Sequence, residues 1–177
     1  LDYFYTYFGI LLAGGIPVPI YPPARLAQIE EHVQRHAGIL ANAQAATLVT
    51  VPEAMAIARL LEAHVPALKR VVTAAELSRT KGAAAPIVTT PQDIAFIQYT
   101  SGSTAVPRGV MVSHGNVMAN LRAVRRTFAQ PPGTESVCWL PPYHDMGLIG
   151  GILAPLYLGT TATLLPPSAF VQRPSRW

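Results

Sequence analysis

What the chain has least of is cysteine and charge. Among 177 residues there is one cysteine, Cys138. No intrachain disulfide can form, which excludes a disulfide-stapled scaffold. A lone Cys inside an apolar run reads as a small core residue rather than a reactive thiol. Asp, Glu, Lys and Arg make up 12% of the chain, about half the usual share. The net charge is +4, and the only dense basic group is Arg122, Arg125 and Arg126. That spacing suits a solvated helix face rather than the basic patch of a nucleic-acid binder, so no nucleic-acid partner is expected. Hydrophobic residues make up 50%, which excludes general disorder.

An uninterrupted hydrophobic span is missing too. Residues 3–24 and 146–172 carry no charge, and each is long enough to cross a bilayer. The first is broken by Gly9, Gly14, Gly15, Pro17, Pro19, Pro22 and Pro23, the second by Pro155, Pro166 and Pro167. The pieces fall short of the ~20 apolar residues that a spanning helix needs. No basic stretch precedes a hydrophobic one, so no signal peptide is visible. A cytoplasmic protein with no transmembrane segment is expected. The length permits one domain or one lobe of a larger enzyme. The chain opens at Leu1 directly in a helical pattern and closes at Trp177 without a polar tail. An internal piece of a longer protein is expected.

Helical and strand patterns alternate. Phe4, Phe8, Leu11 and Leu12 make a first helical stripe, which Gly14-Gly15 should end. Residues 16–20 are strand-like, although Pro17 and Pro19 make them a poor central strand. Leu26, Ile29, Val33, Ala37 and Leu40 form an amphipathic helix. Strand patterns follow at 47–51, around Val71-Val72, and at 94–99, 109–112, 137–140 and 161–165. Between them lie a helix with Ile57, Ala58 and Leu61 on its apolar face, a linker at 79–91, and a helix with Val117, Leu121, Val124 and Phe128 on one stripe. Ser113 is placed to cap that last helix. A helix over 148–158 completes the alternation. The pattern predicts an α/β fold with a mostly parallel sheet and flanking helices. His32, His36 and His64 read as surface or boundary residues, and His114 as part of a helix start. The aromatic residues Tyr3, Phe4, Tyr5, Tyr7 and Phe8 read as core.

Residues 99–112 read YTSGSTAVPRGVMV. Thr100, Ser101, Gly102, Ser103 and Thr104 form a run of small, mostly hydroxyl-bearing residues between two strands. Such a run lets the backbone approach a polyanion, and successive N–H groups can point into one concavity. Arg108 closes the run with a planar, permanently charged fork that matches phosphate oxygens. Gly109 frees the backbone beside it. The spacing is not that of a Walker-type loop. A phosphate cradle is the expected role. Further on, His144 and Asp145 sit between a Pro-Pro turn and a Gly-rich apolar segment. A His-Asp pair can orient an imidazole or hold a polar substrate end. Met146, Gly147, Leu148 and Ile149 are apolar and small enough to line a lipid-accepting slot.

TSGST followed by PRGV resembles the phosphate-binding signature of the acyl-adenylate-forming (AMP-binding) superfamily. Ala105 stands where Gly is usual, and Arg108 where Lys is commoner. WLPPYHDMGLIGGILAPLYLG at 139–159, GGIPVPIYPP at 14–23 and FVQRPSRW at 170–177 resemble the fatty acyl-AMP ligase branch, so the likeness covers nearly the whole chain. The resemblance implies ATP-dependent activation of a fatty acid to an acyl-adenylate with release of pyrophosphate. ATP and Mg²⁺ are the implied cofactors. The implied partners are a fatty acid and an acyl carrier protein or a polyketide or non-ribosomal peptide synthase module. Arg108 and His144 are the implied catalytic residues. Thr100, Ser101, Gly102, Ser103, Thr104, Arg108 and Gly109 are implied at the nucleotide, and His144, Asp145, Met146 and Gly147 at the substrate. No protein metal ligands are implied. A fatty acyl-CoA synthetase and a non-catalytic binding fragment are the alternatives. The superfamily's adenine-binding, ribose-binding and hinge motifs and its C-terminal catalytic Lys do not occur. Residues 1–177 are therefore expected to be an incomplete adenylation domain, inactive alone.

Overall fold

Short β-branched runs make the strands, and amphipathic stretches cover them. The computed structural model describes residues 1–21, 29–79, 82, 85, 87–100, 107–131 and 133–177. They form two compact units: Leu1–Thr89 with Ile94–Met111, and Thr90–Asp93 with Val112–Trp177.

The first unit begins with α1 (Asp2–Leu12). Its buried residue is Tyr7, whose ring centroid lies 6.5 Å from that of Phe96. Tyr3 stacks on Tyr7 one turn earlier. This aromatic contact turns the helix away from the expected stripe, and Leu12 is 75% exposed. Tyr5 also faces outward. Gly14 ends the helix as expected. It takes a left-handed conformation, and the N–H groups of Gly14 and Gly15 donate to Leu11 and Ile10. Residues 16–20 are extended without forming a strand, although the Ile97 N–H donates to the Pro17 carbonyl.

A β-α-β unit carries the core. The expected amphipathic helix is α2 (Ile29–Asn42); Leu26 lies outside the described residues. Next come β1 (Thr47–Thr50), α3 (Met55–His64), β2 (Arg70–Thr73) and α4 (Ala74–Ser78). A short 3₁₀ turn at Pro52–Ala54 leads into α3. Strands β1 and β2 pair in parallel from Thr47↔Arg70 to Thr50↔Thr73. Leu40, Leu48, Ala58, Leu61, Val65, Leu68 and Val71 form the buried cluster beneath α2 and α3. The described residues of the expected linker at 79–91 are neither helix nor strand. Strands β3 (Ile94–Thr100) and β4 (Arg108–Ser113) then pair.

In the second unit, Ser113 caps α5 (His114–Phe128) through a reciprocal box with Asn116. Leu121 is the buried residue of α5. Phe128, expected on the same stripe, is 68% exposed, because α5 ends there in a left-handed Ala129. Arg122, Arg125 and Arg126 are exposed, as a solvated face requires. Strand β5 (Glu135–Cys138) pairs in parallel with β6 (Thr161–Leu164), from Glu135↔Thr161 to Cys138↔Leu164. Between them run a wide helix with i→i+5 geometry (Met146–Leu153) and α6 (Ala154–Leu158). α7 (Pro167–Gln172) follows β6. Trp139 stacks flat on Phe170 at 3.9 Å, and the Trp177 indole N–H donates to the Val137 carbonyl. Among the described residues the strands form three separate pairs, two of them parallel. No helix among them is long and apolar enough to cross a membrane.

His36 departs from its expected surface place. It is fully buried, stacked on His32 at 3.8 Å and edge-on to Tyr21 at 4.7 Å. Arg35 lies over the other side of the cluster, 5.8 Å from the Tyr21 ring centre. Burial pushes the His36 pKa down, the carbonyls of His32 and Tyr21 pull partly the other way, and the Arg35 charge adds to the lowering. Burial, then the His36 neighbour, pushes His32 down to about 4. Both folded values lie below the unfolded value of about 6.5. The folded state therefore binds fewer protons, and the contribution is full above about pH 6.5 and shrinks as pH falls toward 4. Thermal midpoints of the protein should drop over that window. His36→Phe, which keeps the ring stacking, should make the drop shallower. Identical pH profiles for the two proteins would refute this.

Candidate functional site

The stems of the expected phosphate loop stand at the ends of β3 and β4. Ser101, Gly102, Ser103 and Thr104 lie outside the described residues. Thr100 is the last residue of β3, and Arg108 is the first of β4; both are exposed. Gly109, which follows Arg108, packs on Tyr99, which precedes Thr100, so the end of β3 lies close to the start of β4. Arg108 is thus an accessible guanidinium at the loop's mouth, able to take an anion bidentately.

The stems are held from two sides. The Tyr99 hydroxyl donates to Asn42 Oδ1 at 2.5 Å, across 57 residues of sequence. Gly109 lies against the same ring. A Cβ there would come within 2.9 Å of Tyr99 Cζ and 2.8 Å of Ile97 Cγ2. Close packing, not an unusual backbone angle, is what demands glycine at 109. On the other stem Pro107 sits against Gly38, where a Cβ would lie 3.3 Å from Pro107 Cγ. Tyr99 is legible as the residue leading into the loop. Asn42 and Gly38 carry no local signal, because their partners are remote in sequence.

His144 and Asp145 belong to the second unit. The Asp145 carboxylate does two things with one oxygen. Oδ1 accepts from the Met146 N–H at 2.7 Å, capping the wide helix, and stands 2.5 Å from His144 Nδ1. The His144 carbonyl accepts from the Leu148 N–H at 2.8 Å. Both side chains are more than half exposed. With Nδ1 engaged, Nε2 is the ring nitrogen available to a ligand.

Beside the pair opens a shallow cavity of about 250 Å³, lined by Asp145, Met146, Ile149 and Gly150. Met146 and Ile149 stand where a slot was expected. Gly147 and Leu148 do not line it; both are buried. A Cβ on Gly147 would collide with the Pro141 carbonyl oxygen. Gly151 packs on the Cys138 side chain, with 2.6 Å between a built Cβ and Sγ. Cys138 is accordingly half-buried. Gly150, which the sequence reading passed over, has nothing within 4 Å of a built Cβ.

Among the described residues no group of three or more His, Cys, Asp or Glu side chains could hold a metal ion. They offer no cage of their own for Mg²⁺.

The glycines make a sharp contrast that is testable. Gly147→Ala should lower the thermal midpoint and soluble yield, because backbone must shift to relieve the clash with Pro141. Gly150→Ala should leave the midpoint within a degree or two. Equal midpoints for Gly147→Ala and the parent would show that the wide helix is not pinned at Pro141.

The family model described as "AMP-binding enzyme" matches residues 1–177. The chain is 52% identical over 87 residues to the Medium-chain-fatty-acid--[acyl-carrier-protein] ligase TtuA of Teredinibacter turnerae, a match covering 49% of the chain and 14% of that protein. It is 36% identical over 181 residues to the Long-chain-fatty-acid--AMP ligase FadD32 of Mycolicibacterium smegmatis, covering 100% of the chain and 28% of that protein. A solved structure from work on fatty acyl-adenylate ligases of E. coli and L. pneumophila superposes with a TM-score of 0.93 at 35% identity, covering 99% of the chain and 32% of that structure. The chain thus spans a third or less of the proteins it matches. With the α/β units and the loop stems in place, it belongs to the AMP-binding enzyme family.

Proposed function

We propose that this chain is the N-terminal part of an ATP-dependent fatty acyl-AMP ligase that passes its acyl group to a carrier protein. The observation that carries the reading is the likeness to FadD32 over 181 residues, which takes in both the loop stems and the His144 segment. The name of TtuA supports an acyl carrier protein as acceptor.

In this reading a fatty carboxylate attacks the α-phosphorus of ATP. A carboxyl C–O–P bond forms, the α–β phosphoanhydride breaks, and pyrophosphate leaves. A carboxylate is already a nucleophile, so the step needs no general base. Catalysis rests on positioning the reactants and on neutralising charge that builds on the phosphates. Residues 100–104 let the backbone approach the β- and γ-phosphates, Arg108 places its charge on them, and Gly109 lets Tyr99 pack against the stem. Mg²⁺, when bound with ATP, shares that charge. His144, with Nδ1 held by Asp145, is the residue of the second unit assigned to the acyl carboxylate. The alkyl chain lies along Met146 and Ile149.

Product analysis on the intact enzyme tests the reading. Supplied with ATP, Mg²⁺, dodecanoate and CoA, the enzyme should accumulate acyl-AMP and leave CoA untouched. Conversion to acyl-CoA would place the protein among the CoA synthetases instead. Arg108→Ala should lower kcat/KM for ATP by about a hundredfold, with the dodecanoate KM little moved. An unchanged kcat/KM for ATP would remove Arg108 from the phosphate site.

A further inference from the structure

We infer that Asn42, acting through the Tyr99 hydroxyl, is a positioning residue for the phosphate-loop stems, and that α2 braces both stems at once. The inference rests on the phosphate-binding reading of that loop. Gly38 and Asn42 lie four residues apart, one above the other on the same face of α2. Asn42 engages Tyr99, the residue before Thr100. Gly38 meets Pro107, the residue before Arg108. One helical face therefore touches the chain as it enters the loop and as it leaves.

The chemistry of each contact suits that task. The Tyr99–Asn42 bond joins two neutral groups, so it fixes position without adding charge beside a polyanion. Burial pushes the Tyr99 pKa up, which keeps the hydroxyl a donor. The Tyr99 ring fills the space left by the missing Gly109 side chain. A shift of Tyr99 is thus transmitted to the residue that follows Arg108. Neither Asn42 nor Tyr99 needs to touch the nucleotide.

The test uses the full-length enzyme, with ATP-pyrophosphate exchange measured at varied ATP and at varied dodecanoate. Tyr99→Phe removes one oxygen, and Asn42→Leu removes the acceptor at similar size. Each should lower kcat/KM for ATP two- to tenfold, the range of one neutral hydrogen bond, with the dodecanoate KM unchanged. The double variant should be no worse than either single one, because both remove the same bond. Lowered thermal midpoints with unchanged kcat/KM for ATP would overturn the inference and leave a purely structural bond. So would a parallel loss for ATP and dodecanoate. Tyr99→Phe alone decides the matter if Asn42→Leu does not fold. Arg108→Ala in the same assay separates the two levels. If it weakens ATP use while Tyr99→Phe does not, the brace is wrong and the phosphate site stands. If it too leaves ATP use unchanged, the phosphate reading falls and the brace falls with it.

Discussion

The seating of α2 on the β1–β2 core is the constraint on which the first unit depends. Leu40 is buried in the cluster with Leu48, Leu61 and Val71, and it fixes the rotation of the helix. Gly38 and Asn42 flank Leu40 by two residues on either side, which puts both on the far face. A slip of one residue would turn that face by about 100° and part Asn42 from Tyr99. The apolar cluster therefore sets where a polar contact is made. A single neutral hydrogen bond contributes only about 1 kcal/mol, too little to order a helix across 57 residues of sequence. The core does the ordering, and the bond then selects one position for the loop stem.

The second unit reaches a comparable result with glycine instead of a buried aliphatic cluster. Gly147 and Gly151 are four residues apart, one against the Pro141 carbonyl and the other against Cys138. The missing side chains let the wide helix lie close to the end of β5. That approach holds the start of the helix in place, and with it His144 and Asp145. Wide i→i+5 turns are uncommon and often accompany functional sites. Here the run of Gly and the close approach of the Pro141 carbonyl give them a local cause.

Most strands were legible from their β-branched or aromatic residues, although β5 begins at Glu135, two residues before the expected 137–140, because Val137 is its one β-branched residue. Val71-Val72 and residues 94–99 needed no tertiary information. Ser113 was legible as a cap because its chemistry acts within four residues. Helix faces were less so. Phe4, Phe8, Leu11 and Leu12 satisfy the helical period, yet the contact between Tyr7 and Phe96 decides which side is buried. His36 shows the same limit, since a polar residue on a helix reads as surface until a stacked neighbour and Tyr21 enclose it. The helix expected over 148–158 has the right extent at its end but begins with wide turns, which depend on a carbonyl outside the helix. In the candidate site the residues proposed to carry chemistry are suggested by their types and by the family resemblance. Their supports, Asn42 and Gly38, are not, because nothing near them in sequence marks a partner that folding brings from β3 and β4.

The contacts of Asp145 decide what the His144–Asp145 pair can present to a ligand. An isolated Asp145 would repel both ATP and a fatty carboxylate. Its Oδ1 is instead engaged twice, by the Met146 N–H and by His144. The positive end of the following helix lies at that same N–H. The Asp145 carboxylate is thus held by groups of the protein itself, and the His144 ring lies exposed beside it. With Nδ1 held by the carboxylate, Nε2 is the ring nitrogen left for a ligand.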